Sequence, residues 1–176
     1  TCITAVNFFD ACEKEGIKAI IGTEFYVCDD LTVKSGKAKL NHLVLLCKNE
    51  EGYKNISLLN AIAFRDGFYY KPRIDLKTLE AHHEGLICLS ACLAGDIPQA
   101  ILNRNFDEAE RLVLWFKNLF GEDFYLEMQN HMLEEQLEVN KYLRTYAKKY
   151  GIKLVATNDV HYRGELFRRL RERRHK

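Results

Sequence analysis

Apolar residues along the chain fall into two spacings that alternate. Ala5, Phe8, Phe9 and Cys12 recur at helical intervals and stop near Gly16. The run Ile17–Ile21 then reads as a buried strand, extended past Gly22 by Phe25–Val27, and His42–Cys47 reads as another. Between them, Cys28–Leu40 is polar and contains glycine, which marks an excursion. From Glu50 to Phe64 the spacing of Tyr53, Ile56, Leu59 and Ala63 predicts one face of a helix.

The second half continues the alternation. A short helix is predicted over Ile74–His82, a strand over Gly85–Leu89, and helices over Ile97–Asn103 and Phe106–Phe120. In the last of these Ala109, Leu112, Val113, Phe116 and Leu119 keep helical spacing. Asp123–Met128 alternates as a strand does. Met132, Val139, Leu143, Tyr146, Ala147 and Tyr150 mark a long amphipathic helix, and Lys153–Thr157 the last strand. Such strand–helix alternation argues for an α/β domain with a largely parallel sheet, of the kind that curls into a barrel.

In folds of that kind polar groups at the C-terminal ends of strands converge on one rim. The stretch TNDVHY, residues 157–162, places Asp159 and His161 just past the last strand. Residues two apart on an extended backbone point the same way, so this pair has the geometry to grip one ion. Glu24 and Cys92 follow apolar runs and offer a carboxylate and a thiolate. His42 opens its run instead of closing it. It reaches the same rim if Phe25–Val27 and His42–Leu46 pair antiparallel, and that pairing is expected.

Each residue also has an ordinary explanation. Glu24 would be solvated, His42 a hydrogen-bonded edge histidine, Cys92 core packing and Asp159 a turn cap. The ligand reading gains because five ligand-type residues from four segments map near strand ends. Glu127 and His131 form an E-x-x-x-H pair, but Glu127 sits in a strand-like segment where helical ligand spacing does not apply, so both are left out.

Length and composition narrow the picture little further. A chain of 176 residues suits one domain with a sizeable core. The formal net charge of +1 gives no overall field from which nucleic-acid affinity could be argued. No apolar stretch approaches the roughly 18 residues of a membrane span, so no membrane partner is expected. Six cysteines without a C-x-x-C pair, behind no export signal, point to reduced thiols in the cytoplasm. The first residue is not Met, which suggests a fragment.

Two segments remain. RDGFYYKPR, residues 65–73, interleaves aromatics with cations as single-strand nucleic-acid surfaces do. The favoured expectation is nevertheless a packed loop with Phe68 and Tyr70 pinned to the barrel. The closing RGELFRRLRERRHK is dense in positive charge and reads as a solvated basic helix end.

The blocks GIKAIIGTEFYV, NHLVLLCKNEEGYKNISLL, GFYYKPRID, GLICLSACLAGDI, FYLEMQNH and GIKLVATNDVHY occur in this order in the chain. In that order they resemble the PHP (polymerase and histidinol phosphatase) domain of bacterial DNA polymerase III alpha subunits, from near Ala5 to Tyr162. The resemblance implies a distorted (β/α) barrel, here partial, with a PHP domain over 1–162 and a basic C-terminal tail over 163–176. It implies a metal cluster, zinc foremost with manganese or magnesium as alternatives. The family's ligand positions match Glu24, His42, Cys92, Asp159 and His161. The H-x-H pair and the T-D-H-G motif of the family would precede Thr1 and are absent here, so an N-terminally truncated chain with an incomplete cluster is expected.

For function, the resemblance implies part of a replicative DNA polymerase. The domain would act as a metal-dependent 3′→5′ exonuclease or phosphoesterase, or as structural support. Its partners would be DNA, a proofreading subunit and a sliding clamp. Two alternatives stand beside it: a stand-alone PHP phosphoesterase acting on a small phosphate ester, and a structural barrel without metal.

Overall fold

The computed structural model of the protein describes residues 2–36 and 39–159. Helix α1 (Cys2–Lys14) leads into β1 (Gly22–Cys28) and, after the polar excursion, β2 (Asn41–Cys47). Then come α2 (Glu50–Arg65), β3 (Arg73–Asp75), α3 (Leu76–Ala81) and β4 (Leu86–Leu89). The chain continues through α4 (Asp96–Leu102), α5 (Phe106–Phe120), β5 (Phe124–Gln129), α6 (Glu134–Tyr150) and β6 (Lys153–Thr157).

Local chemistry sets several of these boundaries. The Asn49 side chain accepts from the Gly52 amide to start α2, and Asp75 accepts from Thr78 to start α3. Gly151, at φ +63°, ends α6 in the left-handed conformation that glycine adopts without penalty.

The six strands form one sheet in the order β3-β1-β2-β4-β5-β6. Strand β2 runs antiparallel to both of its neighbours, and every other pairing is parallel. The expected antiparallel pairing of β1 with β2 is therefore present, with Tyr26 opposite His42. This is an α/β fold, consistent with part of a PHP-type barrel.

Alternation along the strands sorts side chains onto two faces. Phe25, Val27, Leu43, Leu45, Cys88, Phe124 and Leu126 are buried in one core with Ile56, Leu59, Val113, Phe116, Val139 and Leu143 from the helices. Of the alternate positions, Tyr26, His42 and Val44 are only half-buried and Glu24 is exposed. The helices thus load one side of the sheet and leave polar groups on the other. Among the described residues no helix is long and apolar enough to cross a membrane.

Some expectations are corrected. Ile17–Ile21 is not a strand, and Ile17 and Ile20 are largely exposed. The ladder runs out there: β2 ends at Cys47, whose amide reaches back to the Ile21 carbonyl, before the chain turns into α2. Met132 lies outside α6 and is 87% exposed, and Tyr53 is partly exposed while Gly52 is the buried residue of that turn. Arg73–Asp75 is a strand where sequence periodicity gave none, because three residues are too few to show a period.

The RDGFYYKPR loop is also not packed as expected. Phe68 is 50% and Tyr70 72% exposed. Arg73 is the pinned residue, only 2% exposed, donating to the carbonyls of Gly67 (2.9 Å) and Val33 (3.2 Å). Gly67 is required there, since a Cβ would lie 2.0 Å from the Arg73 carbonyl oxygen. The basic segment 163–176 lies outside the described residues.

Candidate metal centre

Glu24, His42 and Cys92 come together, with one ligand atom from each lying within 4.8 Å of the others. His42 supplies the hub. Its Nδ1 lies 2.9 Å from Glu24 Oε1 and 3.5 Å from Cys92 Sγ. Donor atoms that share one ion sit roughly 3–4 Å apart, so these separations are already close to what coordination demands. A carboxylate, an imidazole and a thiol also form a donor set suited to zinc or a similar ion.

Three segments deliver these side chains. Glu24 and His42 are on the helix-free face of β1 and β2, diagonal to one another across the ladder. Glu24 lies inside β1, not at its end as expected, and His42 reaches it because β2 runs antiparallel. Cys92 arrives on the loop after β4. That loop is tied to β2 by a hydrogen bond from the His42 amide to the Ala94 carbonyl (2.9 Å) and by a parallel bridge between His42 and Gly95.

The loop is tightly built. Ala91, next to Cys92, has φ +62°, a conformation that costs a non-glycine residue roughly 1 kcal/mol or more. Gly95 allows the turn to close, because a Cβ there would lie 2.3 Å from the Ser90 carbonyl oxygen. Ser90 ties the loop to β5: its amide donates to the Tyr125 carbonyl, and its hydroxyl accepts from the Glu127 amide at 2.8 Å.

Hydrogen bonds to Cys92 and then Glu24 raise the pKa of His42 to about 10 against the opposing effect of desolvation. A proton on Nδ1 would serve both partners, and ligation by Nδ1 would require it to leave. Tyr26 supports the ring from the side in an edge-on contact, with centroids 5.2 Å apart.

The other two sequence candidates stand differently. Asp159 follows β6 at φ +48° and is half-buried; it is not part of the gathered trio. His161 lies outside the described residues.

A neighbouring polar group was passed over in the sequence. Glu127, 6% exposed, accepts from Gln129 Nε2 (3.0 Å) and the Thr157 hydroxyl through one oxygen, and the other oxygen is buried with no hydrogen-bond partner among the described residues. Gln129 in turn contacts His131 Nε2 at 3.2 Å. Strand alternation was the available signal: Glu127 and Gln129 fall opposite in face to Phe124, Leu126 and Met128.

Comparison with known proteins places the chain in a family. The PHP domain profile matches residues 1–131. A DNA polymerase III subunit alpha of Borreliella burgdorferi is 47% identical over 162 residues, covering 90% of this chain and 14% of that protein. One from Chlamydia trachomatis is 42% identical over 183 residues, with 90% and 15% covered, and one from Deinococcus radiodurans 38% over 165, with 90% and 12%. The chain spans between 12% and 15% of the length of these relatives.

Proposed function

The chain belongs to the PHP domain family, and from that premise we propose that it is the PHP region of a DNA polymerase III alpha subunit and a divalent-metal site. The PHP unit runs over 1–162, followed by a basic segment over 163–176. The whole protein is then a DNA-directed DNA polymerase of the cytoplasm, with DNA, a proofreading subunit and a sliding clamp as its partners. This region contributes either 3′→5′ phosphodiester hydrolysis or support of the polymerase.

The observation that carries the metal reading is the convergence of Glu24, Cys92 and the Nδ1 of His42 from three separate segments. These three would hold the ion, with Asp159, just past β6, and His161 of the sequence motif proposed as further ligands. A bound divalent ion would supply Lewis acidity, lowering the pKa of water and stabilising charge on a phosphodiester. The residues do the positioning. Glu24 contributes negative charge from within a strand, so its place is fixed by the ladder. His42 is oriented by Tyr26 and by the loop that carries Cys92, and it releases the Nδ1 proton when it ligates. Cys92 supplies a soft donor that favours zinc over magnesium.

Zinc titration of the purified, chelator-stripped protein by calorimetry tests the reading. Uptake with proton release is expected. Absence of uptake of zinc and of manganese would leave only the supporting role.

A further inference from the structure

We infer that the loop of residues 66–72 is a docking surface for single-stranded nucleic acid, with bases stacking on Phe68 and Tyr70 and phosphates attracted by Lys71 and Lys34. It rests on the proposed metal reading only for where the strand would lead.

The loop presents what such a surface needs. Phe68 and Tyr70 leave half or more of their area to solvent, although their apolar rings would be more stable covered. They lie between cations. Arg65 is held by Asp66 through two contacts, of 2.8 and 2.6 Å, whereas Lys71 and Lys34 are exposed and make no ion pair among the described residues. Lys34 is near enough for its charge to act on Asp66. Aromatic rings with positive charge at their edges complement unpaired bases on a phosphate backbone.

The loop is also held in place. Tyr70 has φ +59°, in the left-handed region, and its neighbours close around it: the Tyr69 amide donates to the Lys71 carbonyl at 3.1 Å. The Tyr69 hydroxyl donates to Gly36 at 2.9 Å, and its ring lies beneath the buried Arg73 guanidinium at 5.2 Å. A surface ordered in advance loses little entropy when it binds. Duplex is disfavoured because its bases are already stacked and paired, leaving no face for these rings.

Position adds a further argument. Lys71 Nζ lies 5.9 Å over the ring of Tyr26, the residue whose edge contacts His42. A strand lying on the loop would therefore run its backbone toward the Glu24–His42–Cys92 trio.

The test is fluorescence anisotropy of a labelled oligo-dT and of a hairpin duplex, in low salt with EDTA, so that metal uptake plays no part. Oligo-dT is expected to bind in preference to the hairpin. Tyr70→Ala and Phe68→Ala should each weaken binding roughly 5- to 50-fold, while Tyr70→Phe retains it. Lys71→Gln should lower the salt slope by about one. Leu137→Ser, an exposed site on α6, should change nothing, and circular dichroism checks each fold. No binding, a preference for the hairpin, or Tyr70→Ala indistinguishable from the parent would overturn the inference; so would a protein partner that competes for the loop while oligo-dT does not bind. Zinc calorimetry on the same preparations decides the metal reading separately.

Discussion

Nδ1 of His42 lies 2.9 Å from Oε1 of Glu24, although Tyr26 and not Glu24 stands opposite His42 in the ladder. The contact is diagonal, and it exists because β2 inserts antiparallel between two strands that run the other way. Glu24→Gln keeps the size of the side chain and removes its charge. The variant should fold normally and lose zinc affinity by more than the roughly 10- to 100-fold that an outer partner is worth. Calorimetric titration measures this, and unchanged affinity would remove Glu24 from the site.

Asp159 enters by a different route, from the strand end on the far side of β5. Asp159→Ala is expected to lower metal occupancy and any nuclease activity of the whole protein together, since the ion loses a charged ligand. Elemental analysis of the purified variant checks it. Normal metal content would remove Asp159 from the site.

Leu143 is fully buried on α6, in the same core as Val139 and Leu126. Leu143→Ala should destabilise by roughly 2–5 kcal/mol through the cavity it leaves. Urea unfolding measures the difference, and a shift near zero would mean that this helix face does not pack as described.

How much of this was legible in the sequence depends on the kind of signal. Helices α5 and α6 announce themselves by the spacing of Leu112, Phe116, Val139 and Leu143, and the reversed direction of β2 followed from asking how His42 could join Glu24. Ile17–Ile21 misled because an apolar run reads as a buried strand only if a neighbour is there to bond and cover it: β2 ends at Cys47, and Ile17 and Ile20 are exposed. The approach of Cys92 to His42 depends on Ala91 at φ +62° and on the Gly95 bridge. A left-handed alanine leaves no periodic trace. The exposure of Phe68 and Tyr70 was hidden for a related reason: the pinning is done by Arg73, whose burial no hydropathy pattern predicts.

Arg73 is a buried cation that makes no ion pair among the described residues, held by the Gly67 and Val33 carbonyls through a fork that lysine lacks. Arg73→Lys should therefore cost roughly 1.5–3 kcal/mol despite keeping the charge. Chemical denaturation gives the number, and a neutral effect would show that the guanidinium geometry is not what holds the loop.

Cys88 offers a pH test independent of the site. Its thiol is fully buried in β4, and desolvation pushes its pKa well above the ordinary 9.0. The sign follows from proton counts. Below that ordinary value the thiol is protonated in folded and unfolded chains alike, and Cys88 adds no pH dependence. Above it the unfolded chain releases the proton and the folded one keeps it, so stability falls as pH rises, by up to about 1.4 kcal/mol per pH unit for this one group. Cys88→Ala removes that contribution. Urea unfolding in reductant at neutral pH and again above pH 9.0 should therefore show the variant losing less stability than the parent over the same interval. Equal losses would mean that the Cys88 thiol ionises as freely in the folded protein as in the unfolded chain, which a site sealed between β4 and the helices does not permit.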